Sequence, residues 1–135
     1  MITAGIKISE ELGKHEEIES CVVGGVIRPG YYTVGGSNAL ENLNNFSGYK
    51  VFMSADAVDL EEGLSNTSEF EVGVKKKIIE KGHPIFLLLD STKFKKKALY
   101  RIAGLNQIDT IITNRELDAD TLRQLNELGH NLFLE

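Results

Sequence analysis

The sequence predicts an α/β fold: a mostly parallel sheet flanked by helices. Three observations carry this. Short apolar runs alternate with segments of helical spacing along the whole chain. Ile85 to Leu89 are apolar without a break, and strands of that kind, buried on both faces, belong to parallel sheets. Polar residues and glycines recur where the apolar runs stop, as expected of loops along the rim of an open sheet.

The elements follow in order. "MIT" is half a strand. Residues 5 to 14 carry Ile6, Ser9 and Leu12 near one helical face. "SCVVGG" is a buried strand stopped by glycines, so Cys21 is expected to be a buried, inert thiol. "RPGYY" is a turn, with Pro29 fixing φ and Gly30 permitting a positive one. "SNALENLNNF" forms a helix from Ser37 or Asn38, with Leu40, Leu43 and Phe46 inward. "YKVFMSAD" is a strand ending in Asp56, and "AVDLEEGLSN" is expected to be loop. Ser68 and Glu71 have the spacing of a capping box. Phe70, Val74 and Ile78 then share one face, and Gly82 closes the helix as a C′ residue ahead of Pro84. After the Ile85–Leu89 strand, "LYRIA" and "DTIITN" are strands. Asp118 caps a last helix with Leu117 and Leu122 as its staple, Gly129 ends it, and "NLFLE" is the final strand.

At 135 residues the chain is about one domain long. No apolar run approaches the roughly 20 residues that cross a bilayer, so no membrane role is expected. With no signal-peptide pattern and a lone cysteine, the chain is expected in the cytoplasm. A net charge of −5 argues against nucleic-acid binding by this segment itself. Yet residues 75–101 hold nine Lys and Arg against Glu80 and Asp90, a local +7. The runs Lys75-Lys76-Lys77 and Lys95-Lys96-Lys97 are either solvated faces or a positive field for an anionic ligand.

Candidate site residues fall at strand ends: Thr3, Gly24 and Gly25, Asp56, Asp90 with Lys93, and Thr113 with Asn114. Asp90 alone is readable as a turn former. With Lys93 it makes a pair suited to a polyol that also bears an anion. The carboxylate accepts from hydroxyls, and the ammonium meets a phosphate or carboxylate. Gly24 and Gly25 would let backbone N–H groups approach the same anion, and Arg28 could clamp it. No nucleotide-binding glycine loop, nucleophile elbow or metal-ligand spacing is present, and no cofactor is expected.

"LLLDSTKF" followed by "ALYRIAGLNQIDTIITN" resembles the effector domain of the DeoR family of bacterial transcriptional regulators. "ESCVVGGVIRPGYYTVGGSNALENL" is similar to its G-G-x-x-R stretch and following helix. "VFMSADAVDLEEGLSN" and "EFEVGVKKKIIEKG" are similar to its next two segments. The resemblance implies a Rossmann-like sheet related to ribose-5-phosphate isomerase and glucosamine-6-phosphate deaminase. It also implies binding of a phosphorylated sugar effector that modulates DNA binding, usually in a repressor. DNA would be contacted only through an N-terminal helix-turn-helix domain absent from these residues, which form a single effector-domain fragment without the family's upstream phosphate loop. Asp90 and Lys93 are then the leading effector contacts, with Gly24, Gly25, Arg28 and Thr3 matching motif positions. Ala4 stands where the family has Asn, and Asp56 where it often has a small residue. An incomplete sheet leaves an open edge, so a homodimer or larger homo-oligomer is expected. The alternatives are a sugar-phosphate isomerase-like enzyme using Asp90 and Lys93, and an oligomerisation module without a ligand.

Overall fold

In the computed structural model, which describes residues 1–135, the chain divides into two units, Met1–Phe46 and Ser47–Glu135. In the first, β1 (Ile2–Thr3) lies parallel to β2 (Cys21–Val22), and α1 (Ile6–Leu12) connects them. A hairpin follows, β3 (Val26–Arg28) against β4 (Thr33–Gly35), and then α2 (Ser37–Leu43). Gly30 and Tyr32 both take positive φ in the hairpin turn, as "RPGYY" predicts for the glycine. Leu12, Val23, Val34, Ala39 and Leu43 are the buried apolar residues of this unit. Cys21 is exposed, contrary to expectation. The strand is only two residues long, both exposed, and the apolar run is buried at Val23 instead.

The second unit is built on four parallel strands. They are β5 (Val51–Met53), β8 (Ile85–Leu88), β10 (Thr110–Thr113) and β11 (Asn131–Leu134), in the order β11-β10-β8-β5. Between β5 and β8 run a hairpin, β6 (Ala57–Asp59) with β7 (Gly63–Asn66), and α3 (Glu69–Lys81). β9 (Tyr100–Ala103) joins that hairpin antiparallel to β7, making a separate three-stranded sheet. α4 (Ala119–Glu127) connects β10 to β11. Asp118 caps it as predicted, its carboxylate accepting from Thr121 N–H at 3.0 Å and from the Thr121 hydroxyl at 2.6 Å.

The hairpin corrects the expectation of a loop at 57–66. Its polar residues are the turn itself: Asp59 Oδ1 accepts from the N–H groups of Glu61 and Glu62 at 3.0 and 2.9 Å. Gly63 follows with φ +88, and a Cβ there would lie 2.1 Å from the Ala103 carbonyl oxygen. Only Gly lets β7 begin against β9.

The central strand also differs from expectation. β8 is interior, but only one face of the sheet is covered. Val51, Met53, Ile85, Leu87 and Ile111 share a core with Val72 and Ile79 of α3 and Leu125 of α4. Strand order steps one way from β5 to β11, and right-handed crossovers then place both helices on the same face. The other face presents Phe52 stacked on Phe86 at 4.9 Å, with Phe52 63% and Phe133 61% exposed. Two details of α3 are corrected as well. Ser68 makes no side-chain capping bond, and Gly82 is extended rather than left-handed. Gly82 is required by space, because a Cβ would meet Val51 Cγ2 at 2.3 Å.

Candidate functional site

Parallel strands point their carboxyl ends to one rim, where loops are free to carry polar groups. β5 and β8 lead there to Asp56 and Asp90 respectively. Each carboxylate is locked by its own loop, by different means.

Asp56 lies three residues beyond β5. Its Oδ2 accepts from the N–H and hydroxyl of Thr67, at 2.8 and 2.7 Å, just past β7. Its own N–H donates to Asn66 Oδ1 at 3.1 Å. Asn66 is 1% exposed and central to a buried polar network. Its Nδ2 donates to Glu71 Oε2 at 3.2 Å, and its Oδ1 also accepts from Lys75 Nζ at 3.3 Å. Lys75 donates in addition to the Ser54 carbonyl at 2.9 Å and lies 3.7 Å from Glu71. The two charged side chains are 20% and 16% exposed, so each needs the other. Burial pushes the Lys75 ammonium below the ordinary lysine range, against the pull of Glu71 and Asp56. Burial also pushes the Asp56 carboxyl up, but the Thr67 N–H and hydroxyl, with Lys75 and Lys93, outweigh it and hold Asp56 below its usual value.

Asp90 follows Leu89 at the end of β8 and caps a 3-10 turn, Ser91–Lys93. Its Oδ1 accepts from the Thr92 N–H at 2.9 Å and from the Thr92 hydroxyl in a short bond. Thr92, its N–H and Lys93 hold the Asp90 carboxyl below the ordinary range despite some desolvation. Asn114, beyond β10, accepts from Ser91 N–H at 2.6 Å and steadies the turn from the neighbouring strand. Lys93 is the link between the halves. Its charge acts on both Asp56 and Asp90, yet its ammonium makes no ion pair within 4 Å and no side-chain hydrogen bond in the structure. A cation is thus held in the field of two carboxylates, each of which spends one oxygen on its own loop and keeps the other. That set suits hydroxyl groups and one anionic or carbonyl oxygen on the same small ligand.

Of the residues predicted from sequence, the structure brings together Asp56, Asp90 and Lys93. Thr3, Gly24, Gly25 and Arg28 lie in the first unit, and their local roles are different. Thr3 Oγ1 accepts from Gly5 N–H at 3.0 Å. Gly24 donates its N–H to Asn42 Oδ1 at 3.3 Å, so that group is already used. At Gly25 a Cβ would lie 2.6 Å from the Gly35 carbonyl, so packing on β4 explains the glycine. The Arg28 guanidinium stacks 3.5 Å over the Tyr31 ring.

Sequence reasoning placed Asn114 at this rim but missed Asn66, Thr67, Glu71 and Lys75. One signal was present: Val72, Lys75 and Ile79 recur at i, i+3 and i+7, which puts a lysine on the buried face of α3. No three His, Cys, Asp or Glu side chains converge as a metal site. A shallow depression along α4, lined by Leu122, Arg123 and Asn126, shares no residue with this constellation.

The family profile described as "DeoR C terminal sensor domain" matches residues 1–115. A protein of Escherichia coli K12, named as a candidate transcriptional regulator of the sgc region, is 42% identical over 134 residues, 99% of this chain and 52% of that protein. One from Escherichia coli O157:H7, named as a candidate repressor of the aga operon, is 30% identical over 98% of the chain and 49% of its own length. The transcriptional repressor GlcR of Bacillus subtilis is 29% identical over 85% of the chain and 44% of its own length. The chain spans about half the length of these relatives, which are named as regulators and not as enzymes.

Proposed function

This chain belongs to the family of DeoR C-terminal sensor domains, and from that premise we propose that it binds a phosphorylated sugar and passes the binding event to DNA recognition elsewhere in a transcriptional regulator. The observation that carries the reading is Lys93. Its ammonium stands unpaired in the field of Asp56 and Asp90 at the carboxyl ends of adjacent parallel strands. Asp56 and Asp90 take hydroxyl groups of the sugar, and Lys93 takes an anionic or carbonyl oxygen. Binding weakens or strengthens DNA affinity only so far as the ligand prefers one conformation of the regulator over the other, and release of a repressor is the expected direction. The regulator acts as a homodimer or larger assembly.

The test is thermal denaturation of the chain with a panel of sugar phosphates. A ligand at about 100 times its Kd stabilises by about 2.7 kcal/mol, which at this size raises the melting temperature by roughly 8 °C. Lys93→Ala abolishes that shift for the stabilising compound. The bound sugar phosphate is recovered unchanged. A flat response of the wild-type chain across the panel, or turnover of the compound, sinks the reading.

A further inference from the structure

Three consecutive lysines follow the Asp90–Lys93 turn, and two of them bind acids on different elements. Lys95 Nζ lies 2.9 Å from Asp118 Oδ1 and 3.3 Å from Asp120 Oδ2, at the N-terminus of α4. Lys97 Nζ lies 2.7 Å from Glu62 Oε1 and 3.5 Å from Asp59 Oδ2, at the turn of the β6–β7 hairpin. Phe94, just before them, is buried and forms a parallel bridge with Val58. Lys96 N–H donates to the Val58 carbonyl at 3.2 Å. Ala98 N–H donates to Ser65 Oγ at 2.9 Å. Lys95 holds φ +54, a conformation that residues with a side chain adopt only when their surroundings enforce it.

These contacts hold the turn that ends β8 against the β6–β7 hairpin. Asp56 belongs to the β5–β6 connection, whereas Asp90 and Lys93 belong to the end of β8. The hairpin that Lys97 grips is the one whose strands are flanked by Asp56 and Thr67. Gripping it at the far turn, while Phe94 bridges its middle, sets where Lys93 stands relative to Asp56. Lys95 ties the same segment to α4. Isolated exposed ion pairs contribute little to global stability, so two of them on a three-residue segment act on its placement.

We propose that Lys95 and Lys97 are positioning residues for effector binding, two ion-pair clamps that hold the Asp90–Lys93 turn against the hairpin beside Asp56. The proposal rests on the reading of Asp56, Asp90 and Lys93 as the effector site. Lys95 and Lys97 are then more than a solvated face or a diffuse positive field.

The test uses Lys95→Met, Lys97→Met, their combination, and the exchanged pair Lys97→Glu with Glu62→Lys, all in the 135-residue chain. The first readout is amide hydrogen exchange at Thr92, Lys93 and Phe94, which needs no effector. Each single variant exchanges about fivefold faster there, with an unchanged melting temperature, and the exchanged pair returns toward the wild-type rate. Unchanged exchange in both single variants overturns the proposal. The second readout is stabilisation by ribose 5-phosphate, glucose 6-phosphate and fructose 6-phosphate. A compound that binds wild type binds the combined variant about tenfold more weakly. Equal affinity overturns the clamps and leaves the sensor reading standing, whereas a wild-type chain stabilised by none of the three overturns both.

Discussion

The two carboxylates at the rim are made rigid in different ways. Asp56 is held from inside, by a network whose centre, Asn66, is 1% exposed and whose charges, Glu71 and Lys75, are mostly buried. Asp90 is held from outside, by its own 3-10 turn and by ion pairs on the surface segment that follows it. Stability and affinity separate along this line. A change on the Asp56 side propagates into the core, because buried polar groups left without partners are costly. A change on the Asp90 side meets water, which replaces what is lost, so it reaches the ligand before it reaches the fold.

Asn66→Leu breaks the inner half at its centre and carries the largest expected effect. The leucine offers no acceptor to Asp56 N–H or Lys75 and no donor to Glu71. Losing three hydrogen bonds inside a mostly buried network costs about 3 kcal/mol, a fall of roughly 10 °C in melting temperature for a chain of this size. Urea denaturation measures the same loss. A variant that melts within about 2 °C of wild type would show that the network is ornament and that both halves are held from outside.

The outer half is also the half that the sequence displays. Ile85 to Leu89 end abruptly at Asp90, so an interior strand and its polar tip are visible in six letters. The inner half hides because its parts look ordinary alone. Asp59, Glu61 and Glu62 disguise a hairpin as loop, although the Asp59 carboxylate closes its turn by accepting from the backbone N–H groups of the other two. Lys75 sits in a run of three lysines, and only its spacing from Val72 and Ile79 marks it as inward. Asn66 gives no sign at all, because a buried amide is defined by its partners in the β5–β6 connection and on α3 rather than by its immediate neighbours in sequence. The open sheet face was misread for a related reason. A continuous apolar run specifies two apolar faces but not that both are covered, and topology places both helices on one of them.

Asp56→Asn tests the inner half through pH. The native carboxyl titrates below its ordinary value near 3.8, so it binds a proton less readily folded than unfolded. Its contribution to stability is therefore present above the unfolded pKa and is lost as pH falls through the lower native one. The carboxylate is largely exposed, so after solvent screening the contribution is no more than about 1 kcal/mol. Asparagine can still accept from Thr67 but carries no charge. The variant starts slightly less stable at pH 7 and loses less between pH 5 and pH 2, so the two acid-unfolding curves converge. Parallel curves across that range would mean that the charge of Asp56 is not what the loop holds.

Asp90→Ala has the smallest expected effect on the fold and a full effect on the ligand. The carboxylate is exposed, and both bonds that it accepts come from Thr92, a residue two positions away. Water takes over the Thr92 N–H and hydroxyl, and the Ser91–Asn114 bond still ties the turn to β10. The melting temperature of the free protein should be indistinguishable from wild type. Stabilisation by a sugar phosphate should vanish, because one of the two carboxylates around Lys93 is gone. If the free protein instead melts as far below wild type as Asn66→Leu does, the turn is as structural as the network, and the division between an inner half that supports the fold and an outer half that serves the ligand fails.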